Sequence, residues 1–287
     1  MVAGAAWCAV AFGALLALAY YVSPTAWLDA AALHGFTAVS RPKVDAIATA
    51  FAHLCDPAPY AIAGVLVIGA AIRLKGLRTA AAVGLLMAGA NITSQTLKPL
   101  VAYHRELHAN EWHLTNIQDA AFPSGHATAA MALSLAVLMI VPRAYRPLTA
   151  VLGIAFTIAV SFSILILAWH FPSDVVGGYL VATAWGLVSL AALRYANERW
   201  PREGTMRHAA REAMKAPSPA AIGRVVLVLA GIVCLVAASR ADQIAGFADR
   251  HTAMLAVASA IAVAAAVLLA AVALISSNGR GGSSSSG

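Results

Sequence analysis

Long apolar runs separated by short polar segments dominate the hydropathy pattern of this chain. A helix needs about 20 apolar residues to cross a bilayer, and runs on that scale predict eight membrane spans. They lie near residues 2–22, 57–74, 79–97, 124–141, 147–169, 174–193, 221–238 and 253–275. Residues 24–55 are more mixed, and the helical spacing of apolar positions in "VDAIATAFAHL" predicts a half-buried or interfacial helix there instead of a span. The pattern therefore predicts an all-α, polytopic membrane bundle.

The polar interruptions divide the predicted bundle into segments. Residues 1–197 are expected to form a six-span core, followed by a basic connection at 198–220 and two additional spans within 221–275. Residues 276–287 have the Gly/Ser composition of a flexible linker. The N-terminus lacks the basic n-region of a secretory signal, which favours a retained first span.

Composition and charge placement narrow the class of protein. Of the 287 residues, 61% are hydrophobic and only 11% are charged, whereas soluble domains carry about a quarter charged residues. The net charge of +7 would fit a nucleic-acid-binding protein, but thirteen of the 19 Lys and Arg residues fall on one side of the predicted spans. That side is predicted to be cytoplasmic. We therefore expect a multi-pass protein of a bacterial-type inner membrane, with both termini in the cytoplasm, membrane lipids as partners and no nucleic acid. The pattern gives no oligomeric state.

Two apolar runs begin with polar residues on the opposite, outer side. One opens with Pro123, Ser124, Gly125 and His126, and the other begins at Asp174. A serine at a helix start can cap the backbone, and a glycine lets a ligand approach the backbone closely. Free N–H groups and the positive end of the helix dipole attract anions. Two such helix starts facing one layer predict a phosphate site to which both contribute.

Charged and titratable residues near these helix starts suit phosphate chemistry. Lys98 and Arg105 are cations at the outer boundary. Asp174 follows His170 by four residues, so it can hold one ring nitrogen and leave the other to attack phosphorus. His126 is then available to protonate the leaving oxygen. This set predicts phosphoryl transfer that requires neither a metal nor a cofactor.

Three segments of the sequence resemble the three signatures of the type 2 phosphatidic acid phosphatase superfamily, in the same order. They are Lys98-x6-Arg105, Pro123-Ser124-Gly125-His126 and Ser163-x6-His170-x3-Asp174. The likeness covers about residues 57–194. It implies a phosphohistidine on His170, oriented by Asp174, with His126 as the general acid that later activates water. It also implies a phosphate held by Lys98, Arg105, Ser124 and Gly125.

The resemblance also implies a class of substrate. Members of the superfamily dephosphorylate polyprenyl diphosphates, phosphatidic acid, phosphatidylglycerol phosphate or lipid A. A site on the outer face favours a polyprenyl diphosphate, because such carriers are recycled there. We therefore expect a lipid phosphatase acting at the outer leaflet.

Two departures from the family pattern keep other functions open. Ile164 stands where the family has arginine, and Glu106 follows Arg105 where the family has proline. Losing one charged donor from a phosphate site costs on the order of 2–4 kcal/mol of transition-state stabilisation. His104 and His108 are candidates for compensating contacts to the headgroup. Sphingolipid synthases, which transfer headgroups, are similar in lacking this arginine, so a lipid phosphotransferase is an alternative.

Further alternatives concern binding and packing. A non-catalytic lipid-phosphate binder or transporter would need Lys98 and Arg105 but not His170. A metal held by the loop histidines is a third reading, to which we prefer a site without metal. Gly177 and Gly178 are expected to permit close helix packing. Ser163 is expected to bond back to its own helix.

Overall fold

The computed structural model describes residues 1–102, 121–201 and 241–277. Over these ranges the chain forms ten α-helices and one 3-10 turn (Arg143–Tyr145), with no strand. The helices are α1 (Val2–Tyr21), α2 (Ser23–Thr37), α3 (Pro42–His53), α4 (Pro57–Lys75), α5 (Leu77–Leu100), α6 (Gly125–Ile140), α7 (Arg146–Ile166), α8 (Pro172–Arg199), α9 (Ala241–Arg250) and α10 (Thr252–Ser277). The predicted all-α class is confirmed.

Five of these helical segments are long and apolar enough to cross a membrane. They are Val2–Tyr21, Pro57–Lys75, Arg143–Ile166, Pro172–Arg199 and Thr252–Ser276. Two other predicted spans are helices that fall short of this standard. α6 is apolar but has 16 residues, and α5 has 24 residues but carries the polar stretch 91–96. The predicted span 221–238 lies outside the described residues.

The mixed segment 24–55 folds into two helices, where the sequence predicted one. Proline lies in the first turn of both α2 and α3, where its fixed φ suits a helix start and its missing N–H costs nothing. α2 is also more deeply buried than predicted, with Leu33 and Phe36 inside the core. At Gly35, an added Cβ would lie 2.5 Å from the Met254 Cβ, so α2 packs tightly against α10.

Helix α8 lies at the centre of the bundle, packed against α1, α5, α6 and α10. Its two glycines permit the closest approach. A Cβ on Gly178 would lie 2.7 Å from the carbonyl oxygen of Ser124, and one on Gly177 would lie 2.8 Å from the Phe122 ring. The predicted packing role of both glycines is confirmed. This contact brings the N-termini of α6 and α8 side by side.

Helix α10 packs against α2, α7 and α8 as part of the same bundle, and Leu269 is fully buried. Its C-terminal end is tied to its neighbours by two arginines. The Arg194 guanidinium donates to the carbonyl oxygen of Ile275, and Arg146 Nη1 donates to Ser276 Oγ over 3.1 Å. The first bond satisfies a carbonyl that a helix C-terminus leaves open, and the second joins two side chains. They lie at the end of the bundle opposite the two adjacent helix starts.

Candidate active site

The start of α6 is capped as the sequence predicted, and its first two amides have no acceptor among the described residues. Ser124 is the N-cap residue, and its Oγ accepts a hydrogen bond from the Ala127 amide at 3.3 Å. The Ser124 amide donates to the carbonyl oxygen of Asp174 at 2.9 Å, which ties the two helix starts together. The amides of Gly125 and His126 have no acceptor within the helix. They are the donors that α6 offers to an anion.

The turn between α7 and α8 delivers the second histidine. Helix α7 ends in a Schellman motif, in which the Ala168 amide donates to Leu165 O at 3.0 Å and the Trp169 amide donates to Ile164 O at 2.9 Å. Ala168 has a φ of 57°, a left-handed conformation in which glycine is usual. The motif reverses the chain within two residues and leads directly to His170.

His170 and Asp174 form the predicted pair at the start of α8. Asp174 is fully buried, and its Oδ2 lies 3.4 Å from His170 Nδ1. That separation is an ion-pair contact, but the geometry is too poor for a hydrogen bond, so the nitrogen has no hydrogen-bond acceptor among the described residues. The same Oδ2 accepts from the Phe171 amide at 2.8 Å. The backbone thus holds the carboxylate in place, and a small rotation of the imidazole would complete the bond.

The N-terminus of α8 is capped by a residue that the sequence analysis missed. Asp29 of α2 is buried, and its carboxylate accepts from the Ser173 amide at 2.9 Å and from Ser173 Oγ at 2.5 Å. Pro172 has no N–H, and the Asp174 amide donates to Phe171 O at 3.0 Å. The first-turn amides of α8 are therefore already paired. The prediction that both helix starts offer amides to one phosphate is wrong for α8 and remains open for α6.

The two histidines lie close together. The ring centroids of His126 and His170 are 6.3 Å apart, so both imidazoles can contact one phosphoryl group. His126 is the more accessible, with 22% of its side chain exposed against 8% for His170. The Trp169 ring packs beside His126 at 5.5 Å between centroids. The structure therefore brings the predicted pair together beside the open amides of α6.

A second carboxylate contacts the other histidine. Asp56, the N-cap residue of α4, places Oδ1 3.1 Å from His126 Nε2 and Oδ2 2.6 Å from His53 Nδ1. Desolvation raises the pKa of Asp56, but the hydrogen bonds and positive charge of the two histidines outweigh it and lower that pKa below its usual value. The carboxylate is thus ionised at neutral pH.

Lys98 lies at the edge of the same space. A side chain at Gly125 would meet Lys98 Nζ at 3.5 Å and Gln95 Nε2 at 3.0 Å, so both reach over the start of α6. The Lys98 ammonium is near enough to act electrostatically on Asp174 and His126. The glycine leaves room between a cation and two amides. Arg105, His104 and His108, which the sequence also nominated, lie outside the described residues.

Ile164 is fully buried in the hydrophobic core. The position that carries arginine in the third signature therefore contributes no charge to this site. Its neighbour Ser163 donates to the carbonyl oxygen of Ala159 at 2.7 Å, which confirms the predicted bond back to its own helix.

The fold and the site define a class: a helical membrane protein with paired histidines and a carboxylate at the ends of its helices. Residues 79–198, 120 of the 287 in the chain, match the family model of the PAP2 superfamily, which supports membership of that superfamily. The chain is also similar to the crystal structure of a transmembrane PAP2 type phosphatidylglycerolphosphate phosphatase from Bacillus subtilis, at 17% identity and a TM-score of 0.56. That likeness covers 70% of this chain and 98% of the other. No curated protein matches the chain in sequence.

The two carboxylates that the sequence analysis missed lie outside the segment that the family model matches. Asp29 and Asp56 both precede residue 79, where the family match begins. Each is a single acidic residue in an apolar context, "AWLDAAAL" and "HLCDPAPY". Because an unpaired buried carboxylate is costly, an acid in such surroundings implies a polar partner. That signal was present, but it did not identify the partner.

Proposed function

We propose that this protein is an integral membrane lipid phosphatase. It hydrolyses a lipid phosphate or diphosphate at the outer leaflet through a phosphohistidine intermediate. The observation that carries the proposal is the 6.3 Å separation of the His126 and His170 rings, beside the open amides of α6 and the buried carboxylate of Asp174. The match to the PAP2 superfamily supports the reaction class.

The first chemical step uses both rings. Because Nδ1 of His170 faces Asp174, its Nε2 attacks phosphorus, and the bond from phosphorus to the leaving oxygen breaks. His126 gives its proton to that oxygen, so the lipid alcohol or lipid phosphate departs with that oxygen protonated. The Asp174 carboxylate stabilises the positive charge that develops on His170. The product of this step is a phosphohistidine and a neutral His126.

The second step regenerates the enzyme. Neutral His126 takes a proton from water as that water attacks the phosphohistidine, which releases inorganic phosphate and leaves His126 protonated for the next cycle. The amides of Gly125 and His126, with Lys98 and Arg105, hold the phosphoryl oxygens during both steps. Since these groups supply the charge stabilisation, the rate is expected not to change on treatment with a chelator.

A polyprenyl diphosphate is the substrate that we favour, because an outward-facing site suits the recycling of such carriers. The similar crystal structure is that of a phosphatidylglycerolphosphate phosphatase, so phosphatidylglycerol phosphate belongs in the same comparison. The test is phosphate release by the purified full-length protein from these two lipids and from phosphatidic acid.

Substitution of the nucleophile tests the mechanism. His170→Ala is expected to abolish phosphate release, whereas His251→Ala, a histidine between α9 and α10, retains it. Substrate labelled in the transferred phosphate should leave an acid-labile, base-stable label on the protein, and His170→Ala should remove that label. Release of phosphate by a correctly folded His170→Ala protein would refute the mechanism.

A lipid phosphotransferase is a second candidate. The observation that favours it is Ile164, which is buried and stands where the family pattern has arginine; headgroup-transferring sphingolipid synthases also lack that arginine. Such a phosphotransferase would use the same phosphohistidine. The label would then appear on an acceptor lipid or glycan instead of in water. A protein that binds lipid phosphate with undiminished affinity after His170→Ala, and never releases or transfers phosphate, would instead be a binder or transporter.

A further inference from the structure

A row of titratable side chains that the predicted site does not include begins at the junction of α3 and α4. His53 and Asp56 lie more than one helix before residue 79, where the family match begins, yet Asp56 contacts both His126 and His53. Asp56 Oδ1 lies 3.1 Å from His126 Nε2, and Asp56 Oδ2 lies 2.6 Å from His53 Nδ1. The row runs from the site outward, since His126 is 22% exposed, Asp56 35% and His53 56%.

From this row we propose that Asp56 is a positioning residue for the general acid His126, and that His53 in turn holds Asp56. The inference rests on the proposed phosphatase function. A carboxylate on one imidazole nitrogen fixes the orientation of the ring and stabilises its protonated form. Because Asp56 occupies Nε2, the proton of His126 reaches the leaving oxygen through Nδ1.

His126 and His170 are then held by carboxylates at different ring nitrogens. Asp174 faces Nδ1 of His170, which leaves Nε2 for attack on phosphorus. Asp56 faces Nε2 of His126, which leaves Nδ1 for the proton. Nδ1 is the ring nitrogen nearer to the backbone, and the backbone of Gly125 and His126 is where the open amides lie. The proposal therefore places a phosphate bound to those amides on the Nδ1 side of the ring.

Other charges bear on His126, and they set the expected direction of the pH effect. Burial disfavours its protonated form most, His170 from the start of α8 and Lys98 from α5 act in the same direction, and Asp56 favours the protonated form. These are the groups among the described residues that act on His126. Removing the Asp56 charge leaves only burial and the two disfavouring groups. Since the acid must be protonated to work, activity is lost as pH rises, and that loss would begin at lower pH in the variant.

Asp56→Asn is the central test, measured with the lipid phosphate that the wild-type protein hydrolyses fastest. We expect kcat to fall about tenfold to hundredfold at neutral pH, which is part of the roughly 10²- to 10⁴-fold contribution of a general acid. The alkaline limb of the pH–rate profile should shift to lower pH, by about one pH unit for each tenfold loss in the proton affinity of His126. Asp56→Glu should restore part of both.

A substrate whose leaving group needs no proton distinguishes a positioning role of Asp56 from a merely structural one. With an aryl phosphate, whose leaving group departs as an anion, Asp56→Asn should change the rate by less than about threefold, because general acid catalysis contributes little there. His53→Gln should lower the rate for the lipid phosphate only about twofold to fivefold, the effect typical of an exposed ion pair. Asp249→Asn is the matched control, an exposed carboxylate on α9, which contributes no residue to the site.

The outcomes separate this inference from the proposed function. If His170 proves essential and Asp56→Asn keeps the wild-type rate and pH profile, Asp56 has no role in proton transfer and only this inference fails. Equal losses with the lipid and the aryl phosphate would also overturn it, since they indicate a general disturbance of the site. Full activity of His170→Ala would remove the proposed function first, and this inference with it.

Discussion

The same tripeptide, Phe-Pro-Ser, begins two helices of this bundle and is used differently in each. In Phe122-Pro123-Ser124 the serine is the N-cap, and α6 begins at the following glycine. In the segment that starts at Phe171, the phenylalanine takes the N-cap position and the proline is already inside α8. The helix thus starts two residues earlier relative to the tripeptide. The residue that follows is glycine in one case and Asp174 in the other, and only Asp174 has a carboxylate that accepts from the amide of the preceding phenylalanine.

This shift gives the two helix starts opposite properties. Asp174 reaches back to the N-cap amide of Phe171, and Asp29 pairs with Ser173, so the start of α8 is closed and buried. The start of α6 has no carboxylate of its own, and two of its amides have no acceptor in the part of the chain that the structure describes. A closed helix start suits a nucleophile that must not move, and an open one suits an anion that comes and goes. The proposed mechanism needs one of each.

The largest effect is expected from removing the charge of the carboxylate at the start of α8. Asp174→Asn keeps the size of the side chain and removes the charge that faces His170 Nδ1. By analogy with aspartate-to-asparagine changes in catalytic triads, kcat should fall about 10³- to 10⁴-fold. Phosphate release under substrate saturation measures the fall. A loss of less than tenfold in a folded protein would show that His170 does not depend on this carboxylate.

The next effect tests the contact that holds the two helix starts together. In Gly178→Ala the new Cβ would lie 2.7 Å from Ser124 O and 2.9 Å from the Thr128 amide, and these backbone atoms cannot move without displacing α6. Overpacking of this kind costs about 1–3 kcal/mol, and activity should fall with it. Thermal unfolding in detergent measures the first quantity.

Gly13→Ala is the control for that substitution, because nothing lies within 4 Å of its Cβ. It is expected to leave both stability and activity near those of the wild type. Gly125→Ala makes a third case, since its Cβ would meet the flexible ends of Gln95 and Lys98. It should leave stability nearly unchanged and raise KM. Equal destabilisation by Gly178→Ala and Gly13→Ala would contradict the close-packing account.

A smaller effect is expected from the cap that α2 places on α8. Asp29→Asn weakens two hydrogen bonds to Ser173, and hydrogen bonds to a charged group contribute about 1.5–3 kcal/mol each. The asparagine oxygen retains one of them, so a loss of about 2 kcal/mol in the free energy of unfolding is expected. Ser173→Ala removes only the side-chain bond and should cost less. If Asp29→Asn is as stable as the wild type, the helix start is not held by this carboxylate.

The contrast between the two helix starts also marks what the sequence was able to predict. His126, His170 and Asp174 were predicted to share one site because their spacing and helix-start chemistry are local, and the structure places them together. Ser124 was identified as a cap for the same reason. The caps and partners at Asp29 and Asp56 were missed because they come from helices far away in the chain. Which acid reaches which helix start depends on how the bundle packs, and local patterning carries no information about that.

The smallest effect concerns the strained turn before His170. Ala168 occupies the left-handed position of the Schellman motif with a φ of 57°, which costs about 1–2 kcal/mol in a residue with a Cβ. Ala168→Gly relieves this strain but adds about 0.5–1 kcal/mol of unfolded-state entropy, so a net gain in stability of at most about 1.5 kcal/mol is expected. Backbone strain near functional sites is part of how they are held. We therefore expect kcat to change less than twofold if the α8 cap alone holds His170, and to fall further if the alanine Cβ also restrains the turn.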